Sequence, residues 1–203
     1  MPFGPFTRPI AHALAAAIMC SASASALLAQ SHDHGGNVAS PSHKPTAQEN
    51  ELVQAVRDAT ERFKNVTSVA GPGEGYQLGF GCVSGGDFGA MGMHYINMRL
   101  VQDNEIKAEE PEIILFEPTA DGGIRITGVD YLVDKKGWES NPDHKGPPEL
   151  KGQLFHLFDS PNRFGLDPFY ALHVWAWKDN PAGTFANWNP NVSCNAFNPP
   201  DKN

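Results

Sequence analysis

No stretch of this chain reaches 18 apolar residues, so no part of it has the length of a membrane-crossing helix. Basic residues are few: 15 Lys and Arg against 23 Asp and Glu, a net charge of −8 with neutral histidine. An acidic surface without a basic block argues against nucleic-acid binding and against docking on anionic lipid. There is no HExxH and no CxxC. The glycine-rich GPGEG at 71–75 lacks the Lys-Ser/Thr of a phosphate loop, and Ser84 does not sit in a G-x-S-x-G elbow. Nucleotide binding and serine nucleophilic chemistry therefore find no support, and no internal repeat is visible.

What is present starts with a leader. Residues 1–29 hold one charge, Arg8, followed by an apolar stretch from Ala13 to Met19 and small residues from Ser21 to Ala26. That order is the order of a secretory signal peptide, with cleavage expected after Ala26 or Ala29. Ala17-Ile18-Met19 before Cys20 does not fit a lipoprotein cleavage box. Removal of the leader leaves two of the three cysteines, Cys82 and Cys194, and an even pair in an exported chain reads as one disulfide. The expected localisation is secreted or periplasmic, in a bacterium.

Residues 30–45 read as a polar, flexible linker. They carry His32, His34 and His43, whose weak metal-binding pattern in a solvated tail ranks below any histidine inside the domain. A single domain is expected over 46–197, with 198–203 as a tail. Thr46 and Glu49 form a capping box. Leu52, Val53, Val56, Ala59 and Phe63 follow as one apolar stripe at helical spacing, predicting an amphipathic helix to near Asn65. Glycine then becomes dense, nine of the 22 residues from Gly71 to Gly92, which suits turns and bulges. Strand patterns follow at 76–83, 90–101, 112–117, 124–133, 153–158 and 170–178, separated by short turn signals such as Asp121-Gly122-Gly123. The expected fold class is α+β: one N-terminal amphipathic helix packed on a curved, mostly antiparallel sheet of about six strands. The stretch 137–168 reads as long surface loops around one short strand.

Three histidines fall inside strand patterns. His94 alternates with Ile96 and Met98, on the apolar face. His173 sits in a strand apolar on both sides, which marks that strand as interior. His156 lies between Phe155 and Leu157. A histidine on an apolar face must find a partner or stay neutral. Two imidazoles and a carboxylate make a common site for a divalent transition metal. The carboxylate candidates are Glu112, Glu117 and Asp130; Glu112, on the face of Ile114 and Phe116, ranks first. The expected metal ligands are thus His94, His173 and Glu112, facing one cavity. Half of the 20 aromatic residues lie between Phe155 and Phe197, which makes either a core cluster or the wall of a cleft. A small-molecule ligand would then meet Trp175, Trp177 and Tyr95.

The segments Gly81-Cys82-Val83, Gly89 to Tyr95, Pro111 to Leu115, Leu172 to Pro181 and Trp188 to Cys194 resemble a group of uncharacterised bacterial secreted proteins. The resemblance spans about residues 50–197 and implies one exported domain, with no activity, cofactor or site residue attached. Three readings stay open: a buried histidine-based site for a metal or small ligand, a metal-free module for an apolar or aromatic ligand, and a structural domain without a site.

Overall fold

The computed structural model of the chain describes residues 44–69, 71 and 73–198. The expected leader, most of the linker with His32, His34 and His43, and the last five residues lie outside the described residues. The first element is helix α1, Ala47–Thr60, capped by Thr46 as the capping box requires. Two short 3-10 turns, Glu61–Lys64 and Val66–Ser68, carry the chain on, so the regular helix stops five residues before Asn65. Leu52, Val56 and Phe63 are fully enclosed, each such burial stabilising the fold by about 1.5–3 kcal/mol.

The sheet comprises β1 (Gln77–Ser84), β2 (Ala90–Ile96), β3 (Ile113–Pro118), β4 (Ile124–Asp134), and then, after helix α3 (Lys135–Ser140) and a small hairpin of β5 (Glu149–Leu150) with β6 (Gln153–Leu154), β7 (His156–Phe158) and β8 (Phe169–Val174). Its order is β1-β2-β3-β4-β8-β7, every pair is antiparallel, and the sheet is curled. The fold class is α+β, as expected from the capped helix and the period-2 segments. Further element boundaries differ from expectation. The pattern over 170–178 is a strand only over Phe169–Val174. The pattern over 90–101 is a strand only to Ile96: the Asn97 side chain accepts the backbone N–H of Arg99 and starts helix α2, Met98–Asp103, which ends at Asn104 in the left-handed region. Asn97 is a good N-cap, and local capping overrides alternation there. The pattern over 153–158 is divided between β6 and β7. Within the expected loop stretch 137–168, the Asp134 carboxylate caps α3 by accepting the backbone N–H of Gly137.

Alternation divides the side chains between two faces. Ile114, Phe116, Val129, Tyr131, Val133, Leu172 and Val174 face the helix and its Leu52, Val56 and Phe63. Ile113, Leu115, Leu132, Phe169 and Ala171 face the other way, where Phe158, Phe164, Trp175 and Val192 cover them. β8 is buried on both faces and lies inside the sheet, between β4 and β7. Cys82 and Cys194 form a disulfide with a sequence separation of 112. It pins the irregular C-terminal segment to β1, assisted by backbone pairing of Ala90 with Asn189.

Candidate metal centre

The face away from the helix carries His94 from β2, Asp130 from β4 and His173 from β8. Asp130 pairs directly with Ile113 on one side and with His173 on the other. His94 pairs with Leu115, two residues further along β3. One donor atom from each of the three lies within 4.8 Å of the others. The rings of His94 and His173 stand edge to face, with centroids 6.4 Å apart. Relative exposures are 3%, 4% and 2% for His94, Asp130 and His173, so the group is closed to bulk water.

Their hydrogen bonding is uneven. His94 Nδ1 lies 3.0 Å from the carbonyl oxygen of Gly92. A neutral imidazole donating there carries its lone pair on Nε2, the usual way in which an outer partner orients a metal-binding ring. The carbonyl points that way because Gly92 has φ +91°, and a Cβ at this position would meet the Phe116 carbonyl oxygen at 2.4 Å. His173 makes no hydrogen bond through either ring nitrogen among the described residues. Asp130 Oδ1 has none either; the two groups stand 3.4 Å apart without hydrogen-bond geometry. Leaving buried polar atoms unpaired costs about 1–3 kcal/mol each, so an uncompensated cluster of this kind is rare.

Burial sets the charge states without a metal. It pushes the His94 imidazole down to about 4, and it lowers His173 well below its ordinary range, helped by the nearby His94. Burial raises the Asp130 carboxyl well above its usual value. Without a metal, burial thus disfavours the charged form of each of the three groups. A bound cation would reverse that preference for Asp130 and favour its ionised form.

Between the three residues is a cavity of about 20 Å³, lined by them with Phe80, Met91 and a ring of phenylalanine, leucine and isoleucine side chains. That is room for about one water-sized sphere. Phe80 stands edge-on to His94 at 6.1 Å and continues into Phe164 at 5.3 Å. Such an apolar wall excludes water and strengthens any charge interaction within it.

The acid brought to the two imidazoles is Asp130, not Glu112. Glu112 continues the Ile114 and Phe116 row, which faces the helix. It is buried there, accepts the backbone N–H of Leu132 at 3.1 Å, and is pushed up by burial to about 8. Glu117, the other acid considered, is held by Arg125 and Lys178. His156 is exposed and pairs with Asn187. The aromatic trio does not meet in one place. Trp175 stacks against His173 at 6.0 Å and donates its indole N–H to Ala186. Trp177 packs on the helix side and donates to the Thr60 hydroxyl. Tyr95 lies on that same side against Phe116. Trp175 and Trp177 do line one open cleft of about 750 Å³ beside α1, without Tyr95.

Asp130 could have been ranked higher from its alternation with Leu132, but only the register of β2, β3 and β4 decides which acid shares a face with His94. No protein-family model matches this chain, and no curated protein or solved structure matches it.

Proposed function

We propose that this is an exported, single-domain metal-binding protein in which His94, Asp130 and His173 hold one divalent transition ion. The observation that carries the reading is the convergence of three ligand-type side chains within 4.8 Å in a buried group, where both ring nitrogens of His173 and one oxygen of Asp130 have no hydrogen-bond partner among the described residues. Two imidazoles and one carboxylate suit zinc, iron, manganese or copper, and the neutral imidazoles need lose no proton to bind. The leader-like residues 1–29 and the disulfide support export, since such bonds persist in oxidising compartments; the resemblance to bacterial secreted proteins agrees. The test is metal analysis of protein recovered from the exported fraction and of protein reloaded with Zn²⁺ or Co²⁺. One ion per chain in the wild type, and none in His173→Ala, is the expected result. Absence of metal under both conditions would overturn the reading.

A second reading keeps one observation of its own. The open cleft lined by Trp175 and Trp177 is large enough for a small molecule. A metal-free binding module would show ligand-dependent tryptophan fluorescence in protein stripped of metal with EDTA.

A further inference from the structure

Apart from the three ligands and Met91, every residue lining the cavity is a phenylalanine, a leucine or an isoleucine. Among the described residues that line it, Met91 is therefore the one other residue whose side chain carries a donor atom. The void, about 20 Å³, has room for about one water-sized sphere. Three protein ligands leave at least one coordination position to fill.

An irregularity of the backbone brings Met91 to this place. In the pairing of β1 with β2, Ala90 is opposite Ser84 and Gly92 is opposite Val83, so Met91 has no partner of its own. It is the extra residue of a bulge, next to Gly92 with its φ of +91°. In an unbroken strand, alternation would place Met91 on the face of Met93, which belongs to the helix-side core. Instead Met91 is buried at the cavity with His94. Re-aiming one side chain is what a bulge does.

We infer that Met91 supplies a thioether as the fourth donor and that the centre, with two nitrogens, one oxygen and one sulfur, is selective for copper, Cu(I) above all. The inference rests on the metal-centre reading. A thioether is soft: it adds much to the binding of Cu(I) and little to that of Zn²⁺ or Mn²⁺. Imidazole suits copper in both oxidation states, and Cu²⁺ stands highest among the divalent first-row ions on nitrogen and oxygen donors. The phenylalanine wall favours Cu(I) further, because one positive charge and one carboxylate leave no net charge in an apolar enclosure.

The test uses the full exported chain and Met91→Leu, a change that keeps volume and apolar character. Cu(I) affinity is measured by competition with bicinchoninate under argon, and Zn²⁺ affinity by competition with a chromophoric chelator. The expected result is a loss of roughly tenfold or more in Cu(I) affinity, the usual scale for disturbing a metal's surroundings, with Zn²⁺ affinity little changed. Equal Cu(I) affinity in the two proteins, or equal losses for both metals, overturns the inference and leaves the metal centre standing. Failure of wild-type protein to bind any of these ions overturns both. Copper K-edge absorption on the wild type needs no variant. A sulfur scatterer in the copper shell is expected, and a shell of nitrogen and oxygen alone contradicts the role of Met91.

Discussion

His94 and His173 belong to strands separated by two others, β3 and β4, yet their ring centroids lie 6.4 Å apart. Three steps across a flat sheet would separate the backbones by roughly 14 Å. The curl of the sheet and the reach of the two side chains over Ile113 close that distance. The site is thus a product of sheet curvature: loss of the packing that sustains the curl would disperse the ligands without touching any of them.

The choice of acid is testable by paired variants. Asp130→Asn is expected to weaken Zn²⁺ or Co²⁺ binding by at least the roughly tenfold that loss of a mere outer partner costs. Glu112→Gln, on the opposite face, should leave it nearly unchanged, because the glutamine carbonyl can still accept the Leu132 N–H. Chelator competition on the two proteins decides it. The reverse ranking would return Glu112 to the centre.

Gly92 is expected to tolerate no side chain. Gly92→Ala combines a left-handed backbone with a Cβ placed 2.4 Å from the Phe116 carbonyl oxygen, and a cost of about 1–3 kcal/mol is expected in urea unfolding. Metal affinity should fall as well, because the carbonyl that orients His94 shifts. Wild-type stability in this variant would show that the bulge is not needed.

The pH dependence of the metal-free protein follows from the shifted groups. An imidazole in the unfolded chain titrates near 6.5, whereas folding holds His94 down at about 4. Its contribution to stability is therefore present above about pH 6.5 and is lost as pH falls toward 4. Asp130, raised by burial, acts oppositely: stability falls as pH rises above the unfolded carboxyl value of about 3.9. His94→Gln isolates the first effect. Between about pH 6 and 4.5, the slope of unfolding free energy against pH should drop by about 1.4 kcal/mol per unit relative to wild type in EDTA. Identical slopes would mean that His94 is already charged in the folded protein.

Reduction of the Cys82–Cys194 bond opens the loop that joins β1 to the C-terminal segment. A closure of this length is worth up to about 4–5 kcal/mol by chain entropy. The double variant Cys82→Ala, Cys194→Ala should lose several degrees in Tm, read by circular dichroism. It should also bind metal more weakly, since Val192, which shares a buried cluster with Ile113, Leu132 and Phe169, is no longer tied down. An unchanged Tm would show that the packing of Val192 holds the segment by itself.

Much of the fold is readable in residue patterns because it is written locally. Thr46 and Glu49 announce α1, alternation announces the strands, and two cysteines left after an expected leader announce one disulfide. The inward bias of His94 and His173 is local too, visible from their strand neighbours. The identity of the acid is not. Glu112 and Asp130 both alternate with apolar residues, and only the pairing of Ile113 with Asp130 shows that they face opposite ways. The end of β2 at Ile96 escaped alternation because the capping side chain of Asn97 outweighs it over so short a distance. The placement of Met91 depends on a bulge that its own neighbours do not announce, beyond one glycine among many. Trp177 departs from the face of Trp175 because β8 ends at Val174 and the chain turns.

The central claim is that one ion sits among His94, Asp130 and His173. Anomalous diffraction from crystals of metal-loaded protein tests it most directly. A single strong peak is expected, bonded to His94 Nε2, a His173 ring nitrogen and an Asp130 oxygen, at about 2.0–2.2 Å for zinc. A peak at His156 or at the histidines of residues 30–43, with none between the three buried side chains, would contradict it.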